Sequence, residues 1–246
     1  MSKLPEKVAL VTGGSRGIGA AIAKRPAADG ASVAITYAKD ASAASAVVKA
    51  IERNGGKAFA IQADAADVEA AKNALEKTVA TFGRLDVLVN NAGTAIRKTF
   101  EETTLEEIDR VFNVNVRGLL ATTQAALKHM NSGGRIIMIG SALGERVLAP
   151  GMVAYSATKG AVKIFTQALS RQLGSRGITV NNVQPGPIDT DLNPATVDRA
   201  ARLKALTSLD RYGHVDEIAS MVAFVAGPEA SYITGANLTV DGGMNA

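Results

Sequence analysis

Short apolar segments alternate with longer amphipathic segments along most of this 246-residue sequence. The apolar segments lie at residues 8–12, 32–37, 58–64, 85–93, 135–141 and 179–186. They are continuously apolar, which indicates strands buried on both faces, and the helical connections between consecutive strands require parallel pairing. The sequence therefore predicts an α/β fold, in which a doubly wound parallel sheet carries helices on both faces.

The remaining segments complete this prediction. Helical periodicity extends to about residue 29 and then covers 41–54, 67–82, 105–130, 153–174 and 215–226, while "GANLTVDGG" at 235–243 indicates a seventh strand at the sheet edge. Neither a repeat nor a Pro/Gly/Ser linker divides the chain, so we expect residues 1–246 to form one domain. Residues 187–213 have weak periodicity directly after the sixth strand, and we expect them to form a mobile flap with short helices over the ligand site.

Composition excludes several function classes. Because the sequence has no cysteine, disulfides and thiolate chemistry are excluded. His129 and His214 are its two histidines, so we expect no catalytic metal, and "HVDE" at 214–217 is interpreted as a helix start. No apolar stretch reaches the roughly 18 residues of a membrane span, which favours a cytoplasmic protein. The net charge of +4 is scattered among acids, so neither a nucleic acid nor a membrane is an expected partner.

The sequence "TGGSRGIG" at 12–19 lies between the first strand and the first helix. A glycine-rich turn at this place lets backbone amides and the positive helix end approach a pyrophosphate. We therefore predict a dinucleotide site of the Rossmann type. Its predicted loop residues are Gly13, Ser15, Arg16, Gly17, Ile18 and Gly19.

The G-x-x-x-G-x-G spacing of this loop resembles the short-chain dehydrogenase/reductase family, as do "NNAG" at 90–93 and the final "DGG". The resemblance spans the whole chain. It implies that Asp64 contacts adenine and that Thr190, in "PGPIDT" at 185–190, anchors the carboxamide of the cofactor, although Thr190 is alternatively a helix N-cap. Further cofactor contacts implied by the resemblance are Asn91, Ala92, Gly93, Pro185, Gly186 and Ile188.

The end of the second strand bears on the choice between NADP(H) and NAD(H). NAD-specific relatives place an acid there, whereas this sequence has Tyr37. Arg16 and Lys39 can offer charge-assisted hydrogen bonds to a 2′-phosphate, so we expect NADP(H) to be preferred. The alternative is that Asp40, three positions later, binds the ribose diol and makes the protein NAD-dependent.

Tyr155 and Lys159 lie four residues apart on a predicted helix and therefore share one face. This spacing alone also occurs by chance, but with Ser141 and Asn115 it is similar to the catalytic tetrad of the family. The resemblance implies that Tyr155 donates a proton, Ser141 binds the substrate oxygen, Lys159 holds the nicotinamide ribose and Asn115 organises a water path to Lys159. We expect the Lys159 ammonium to lower the pKa of Tyr155 from its usual value of about 10.

The Ser141-to-Tyr155 spacing is one residue longer than in many members of the family. The extra residue falls in "ERVLAPGMVA" at 145–154, which we interpret as a substrate-facing loop.

These residues predict an NADPH-dependent reductase of a ketone or 3-oxoacyl carbonyl, similar to 3-oxoacyl-acyl-carrier-protein reductases. The alternatives are an NAD-dependent sugar, polyol or secondary-alcohol dehydrogenase and a non-catalytic nucleotide sensor.

An acidic acyl carrier protein could bind Arg171 and Arg176 at the end of the catalytic helix, although both residues are equally consistent with ordinary surface charge. The resemblance also implies a homo-tetramer that pairs helices 105–130 and 153–174. Pro26, inside the first helix, has no functional interpretation and is expected to cost stability.

Overall fold

Seven parallel strands form one sheet in the order β3-β2-β1-β4-β5-β6-β7. The computed structural model describes residues 4–148 and 150–246, so Ala149 of the predicted substrate-facing loop lies outside the described residues. The strand order reverses between β1 and β4, and β7 lies at the edge as predicted. The strands are β1 Val8–Val11, β2 Ser32–Tyr37, β3 Lys57–Gln62, β4 Val87–Asn90, β5 Arg135–Ile139, β6 Thr179–Pro185 and β7 Asn237–Val240.

The predicted helical stretches are confirmed, except that the stretch 105–130 is interrupted once and ends early, at Ala126. Residues 105–130 contain α4 and α5, separated by a π-helical turn at Asn113–Gly118. No helix among residues 4–148 and 150–246 is long and apolar enough to cross a membrane. The helices are α1 Gly17–Ala28, α2 Ala41–Arg53, α3 Val68–Phe82, α4 Leu105–Phe112, α5 Leu119–Ala126, α6 Val153–Leu173, α7 Arg199–Ala205 and α8 Val215–Ala226.

Both faces of the sheet are covered, which is why its central strands are apolar throughout. In β1, Ala9 and Val11 face a cluster that includes residues of α1, α2 and α8. Leu10 faces the opposite cluster, which includes residues of α3, α5 and α6. The fold is therefore the predicted doubly wound, single-domain Rossmann fold.

Strand β6 departs from the predicted apolar character, although it is buried along its whole length. Most of its polar groups instead make hydrogen bonds, but the Thr179 hydroxyl and Oδ1 of Asn182 have no partner within the described residues. Asn181 donates to the carbonyl of Ile233 at 2.7 Å, and Gln184 donates to the carboxylate of Glu145 at 3.0 Å. The prediction of continuous apolar character is wrong here because paired amides can replace apolar side chains in a buried strand.

The segment 187–213 leaves the sheet directly after β6 and returns to its own starting point. Ile188 forms a parallel bridge with Gly213, whose amide donates to the carbonyl of Pro187 at 2.9 Å. These contacts tie the two ends of the segment together. Between them the chain carries one short helix, α7, where the sequence predicted several.

The segment is followed by α8, and the interpretation of "HVDE" as a helix start is confirmed. His214 is the N-cap of α8 and accepts a hydrogen bond from the amide of Asp216, while Glu217 binds back to the amide of His214. This reciprocal arrangement is a capping box.

Candidate active site

The glycine-rich turn places the N-terminus of α1 at the carboxyl edge of the sheet. Gly13 and Gly17 have φ values of 64° and 52°, a region that side chains disfavour. Arg16 precedes the first helical residue in an extended conformation and makes no side-chain capping hydrogen bond. The turn therefore combines close backbone approach with the positive end of a helix, and these donors fit a pyrophosphate.

A network of polar side chains holds this turn in place. The Thr36 hydroxyl accepts a hydrogen bond from the amide of Gly13 at 3.1 Å. The side-chain amide of Asn91 donates to the carbonyls of Thr12 and Gly13 at 2.9 and 3.1 Å. The Thr12 hydroxyl accepts from the amides of Asn91 and Ala92, both at 3.0 Å. Sequence reasoning missed Thr12 and Thr36, because one threonine at the end of a strand carries no recognisable motif.

Two of the predicted cofactor residues, Gly19 and Gly93, have different structural roles. A Cβ on Gly19 would lie 2.3 Å from the Gly13 carbonyl oxygen, so Gly19 is required by packing within the loop. A Cβ on Gly93 would instead lie 3.5 Å from Oδ1 of Asn115 and 3.9 Å from Nζ of Lys159. Gly93 therefore borders the predicted catalytic residues.

The other half of the predicted cofactor site surrounds the ends of β2 and β3. Asp64 follows β3, lines a small cavity with Thr12 and Ala92, and accepts a hydrogen bond from the amide of Ala66 at 3.0 Å. Tyr37 ends β2 and is half-buried, and Lys39 is exposed two residues later. The structure thus brings these predicted residues to the same edge as the glycine-rich turn.

The charged side chains at this edge differ in how they are held. Asp40 is the N-cap of α2, and its carboxylate accepts a hydrogen bond from the amide of Ala43 at 2.8 Å. This bond holds the Asp40 carboxylate on its own helix. The Arg16 guanidinium is 59 % exposed and lies 3.9 Å from the Asp191 carboxylate, a separation that gives only a weak ion pair.

The segment after β6 faces the glycine-rich turn. The side-chain methyl of Thr190 would lie 3.5 Å from a Cβ on Gly17, so Thr190 stands across the cleft from the turn. No helix begins at Thr190, because the residue pairs with Asn193 in an antiparallel bridge and α7 starts only at Arg199. The alternative interpretation of Thr190 as a helix N-cap is therefore wrong.

Close backbone packing surrounds the start of the same segment. A Cβ on Gly186 would lie 2.6 Å from the Cα of Asp241, so the chain after Pro185 passes against the C-terminal segment. Ile188 is buried. Both residues position the segment that carries Thr190.

Three of the predicted catalytic residues converge beyond β5. Ser141 lies two residues after the strand, and its hydroxyl accepts a hydrogen bond from the amide of Leu143 at 3.1 Å. Tyr155 and Lys159 lie in the first two turns of α6. The Lys159 ammonium is 5.6 Å from the Tyr155 ring centroid and donates to the carbonyl of Ile139 at 2.8 Å.

Asn115 lies in the π-helical turn and is almost fully buried. Its side chain accepts from the amide of Thr94 at 2.8 Å and donates to the Thr94 carbonyl at 2.9 Å. The same amide group donates to the Thr158 hydroxyl at 3.1 Å. Asn115 therefore joins the loop after β4 to the catalytic helix next to Lys159, and π-helical turns of this kind are frequent at functional sites.

The structure contradicts one prediction, which concerns the pKa of Tyr155. Burial raises the pKa of Tyr155, and a hydrogen bond with Ser141 and the charge of Arg97 oppose this rise. The expected lowering by Lys159 is wrong for this structure, because burial outweighs the favourable charges. Burial also lowers the pKa of Lys159 to about 8.

Arg97 is a residue near the catalytic group that sequence reasoning missed. It lies in the loop after β4, where its charge acts on Tyr155 and Tyr212, and its guanidinium reaches the carbonyl of Leu192 at 3.5 Å. A single arginine in a loop has no periodic pattern that would reveal such a position. The residue nevertheless places a cation on the substrate side of the site.

Comparison with known proteins agrees with this architecture. A family model described as enoyl-(acyl carrier protein) reductase matches residues 13–245. A short-chain dehydrogenase of Burkholderia cenocepacia, solved in complex with NADP, is 53 % identical with a TM-score of 0.98, covering 99 % of this chain and 100 % of that chain.

Two curated proteins extend the comparison. A cyclic-di-GMP-binding biofilm dispersal mediator protein of Escherichia coli is 43 % identical over the full length of both chains. A 3-oxoacyl-[acyl-carrier-protein] reductase of Synechocystis is 42 % identical over 99 % of each chain. Fold, site geometry and these similarities agree, and the chain is an oxidoreductase-type protein that belongs to the short-chain dehydrogenase/reductase family.

Proposed function

We propose that this protein is an NADP(H)-dependent reductase that converts a ketone or a 3-oxoacyl carbonyl into the alcohol, with Tyr155 as the proton donor. The observation that carries the proposal is the convergence of Ser141, Tyr155 and Lys159 beside Gly93, at the sheet edge that holds the glycine-rich turn. A proton donor, a hydroxyl and a buried cation next to a nucleotide cradle are the groups that carbonyl reduction requires.

The mechanism follows from what each side chain does. The bound cofactor supplies a hydride to the carbonyl carbon. Ser141 donates a hydrogen bond to the carbonyl oxygen, and Tyr155 transfers its proton to that oxygen as negative charge develops there. Burial raises the pKa of Tyr155, which favours the protonated phenol before the transfer.

Lys159 and Asn115 act through Tyr155. The Lys159 ammonium returns a proton to the tyrosinate that remains after transfer, and Asn115 organises the water path to Lys159. The Nζ–Ile139 hydrogen bond of 2.8 Å fixes the ammonium in place, which supports this assignment. Both are therefore positioning residues for the proton donor.

The predicted cofactor residues are assigned as follows. The turn from Gly13 to Gly19 binds the pyrophosphate, Asp64 contacts adenine and Thr190 anchors the carboxamide. Arg16 and Lys39 bind the 2′-phosphate, for which the NADP-bound relative from Burkholderia cenocepacia gives support. The hydrogen bond that holds Asp40 on α2 weighs against the NAD-dependent alternative.

The protein is proposed to work in the cytoplasm as a homo-tetramer, as the family resemblance implies. An acyl-carrier-linked substrate has the support of the Synechocystis relative. Of the two arginines suggested for a carrier protein, Arg176 donates to the carbonyls of Leu127 and Met130 at 2.9 and 3.1 Å. Arg176 is therefore engaged within its own chain, and Arg171 is the better candidate for that contact.

The decisive experiment measures NADPH oxidation by the purified protein with small ketones and 3-oxoacyl thioesters, in parallel with NADH. We expect turnover with at least one carbonyl class and a clear preference for NADPH. A higher kcat/KM for the thioesters than for the ketones would favour an acyl-carrier-linked substrate. Binding of NADPH without turnover of any carbonyl compound would contradict the proposal.

A binding function is the second candidate, because the relative from Escherichia coli is named for binding cyclic di-GMP. The same preparation separates the two functions when cyclic di-GMP is titrated by calorimetry. Micromolar binding without carbonyl turnover would replace the proposed reductase by a nucleotide sensor. An NAD-dependent sugar or polyol dehydrogenase would instead oxidise alcohols with NAD at higher efficiency than with NADP.

A further inference from the structure

The substrate side of the site carries two arginines that the proposed reaction does not use. Arg97 lies in the loop after β4, and Arg199 is the first residue of α7. The Arg97 guanidinium reaches the carbonyl of Leu192 at 3.5 Å, and the Arg199 guanidinium donates to Oδ1 of Asn193 at 3.2 Å. Both guanidinium groups therefore contact the same two-residue stretch of the segment 187–213.

The two cations act on each other, and neither has an acidic partner in the described part of the chain. Burial and the charge of Arg199 both lower the pKa of Arg97. Among residues 4–148 and 150–246, no carboxylate lies within 4.0 Å of either guanidinium. Asp189 acts on Tyr212, and its carboxylate accepts from the amide of Ala195 at 2.9 Å, while the Asp191 carboxylate lies 3.9 Å from Arg16. Like charges held together without a counter-ion are unfavourable and create a site that attracts an anion.

Tyr212 supplies an independent observation at the same place. Its side chain is only 8 % exposed, and its hydroxyl makes no hydrogen bond of regular geometry in the part of the chain that the structure describes, although the side chain of Asn193 lies close enough to act on it. Arg97, Arg199 and Asn193 all lie close enough to lower its pKa, while burial, the largest effect, and Asp189 raise it. A buried hydroxyl without a hydrogen bond of regular geometry carries a free-energy cost that a ligand oxygen can relieve.

We propose that Arg97, Arg199 and Tyr212 form a binding site for a carboxylate group of the substrate, so that the preferred substrate is an oxo acid. The inference rests on the proposed reductase function and narrows its substrate class. The planar guanidinium fork matches a carboxylate, and the Tyr212 hydroxyl adds a third donor. Because Arg97 also acts on Tyr155, the carboxylate binds beside the carbonyl that is reduced.

The test compares oxo acids with their own ethyl esters, which differ mainly in the negative charge. The series contains 2-oxo, 3-oxo and 4-oxo acids, so that the distance between carbonyl and carboxylate is scanned. For at least one spacing, we expect kcat/KM of the acid to exceed that of the ester by about tenfold or more. We also expect this acid-to-ester ratio to fall with added salt, as an exposed charge contact is screened.

The variants Arg97→Gln and Arg199→Gln are measured on the same pairs. Each is expected to lower the acid-to-ester ratio by about tenfold, mainly through the KM of the acid. Tyr212→Phe should lower the ratio less, because it removes one uncharged donor. Lys204→Gln is the matched control, since it removes one positive charge from the same helix, α7, and should leave the ratio unchanged.

The outcomes separate this inference from the proposed function. If the esters are reduced with NADPH but no acid is preferred at any spacing, the carboxylate site is refuted and the reductase stands. The same conclusion follows if the arginine variants keep the wild-type acid-to-ester ratio. If neither acids nor esters are reduced although NADPH binds, the reductase and the carboxylate site both fail.

Discussion

The cofactor side and the substrate side of the cleft differ in how their conformation is held. On the cofactor side, Thr12, Thr36 and Asn91 close a network of short hydrogen bonds around the glycine-rich turn. On the substrate side, the segment 187–213 is closed at its base by the bridge between Ile188 and Gly213 and carries exposed side chains beyond it. The fold therefore determines the conformation of the glycine-rich turn, whereas the surface on the substrate side depends on the side chains of a loop.

This difference explains how one fold can serve many substrates. Changes in the loop that holds Arg97, or in the segment 187–213 beyond Thr190, leave the hydrogen bonds of the glycine-rich turn intact. Substrate recognition can thus change without loss of the nucleotide site. The catalytic helix α6 stands between the two sides, because it carries both Tyr155 and Lys159.

The largest expected effect is that of Tyr155→Phe, which tests whether the two sides are separable. The variant keeps the ring and removes the proton, so the rate of carbonyl reduction should fall about 10²- to 10⁴-fold. NADPH affinity, measured by fluorescence titration, should change little because the cradle is untouched. Full turnover in this variant would reject the proposed proton donor.

On the cofactor side, Arg16→Ala combined with Lys39→Ala should remove the preference for NADPH. Charge-assisted hydrogen bonds contribute about 1.5–3 kcal/mol each, so the NADPH-to-NADH ratio of kcat/KM should fall by at least about 100-fold. The measurement is steady-state kinetics with both cofactors, and Lys49→Ala on α2 is the charge control. If the wild type prefers NADH and the double variant keeps this preference, the site binds NAD rather than NADP.

The buried Lys159 gives the reaction a defined pH dependence. Its pKa is lowered to about 8, so the ammonium that helps to return the proton is lost as the pH rises through this value. We expect kcat/KM for reduction to be level below pH 8 and to fall about tenfold per pH unit above it. The measurement is a pH profile of NADPH oxidation.

Lys159→Arg is the control for this assignment. The guanidinium stays charged across the range, so the fall near pH 8 should disappear even though the absolute rate is lower. A fall at the same pH in Lys159→Arg would mean that another group titrates there.

The contrast between the two sides also predicts different contributions to stability. Asn91→Ala removes two hydrogen bonds from partly buried backbone carbonyls and should cost about 1–3 kcal/mol of the free energy of unfolding. Asn193→Ala, on the substrate side, removes a 3.5 Å contact and an exposed bond to Arg199, so its cost should stay within about 0.5 kcal/mol. Urea unfolding measures both, and equal costs would contradict the comparison.

The sequence predicted the fold almost completely, because strands buried on both faces and amphipathic helices leave local patterns in the chain. The π-helical turn at Asn113–Gly118 left no such pattern. Its last residue, Gly118, packs against a residue far along the chain, since a Cβ there would lie 1.8 Å from the carbonyl oxygen of Ala65. Long-range contacts of this kind are not visible in a helical repeat.

The candidate site was predicted to the extent that its residues belong to motifs. The turn at 12–19 and the pair Tyr155 and Lys159 were found, whereas Arg97 and Tyr212 became visible only when the structure brought distant loops together. The direction of the Tyr155 pKa was mispredicted for a related reason. A charge four residues away is visible in the sequence, but burial is a property of the folded chain.

The smallest expected effect concerns Pro26, which is buried two residues before the end of α1. Proline removes the amide that would bind the carbonyl of Ile22, a cost that is reduced near a helix end. Pro26→Leu should therefore stabilise the protein by about 1 kcal/mol, or about 2–4 °C in Tm. Pro26→Ala restores the same amide with less volume, so it separates the hydrogen bond from overpacking in this buried position. NADPH affinity should be unchanged in both variants, because the cofactor-binding turn is at the opposite end of α1. A lower or unchanged Tm in both would show that the helix accommodates the proline without cost.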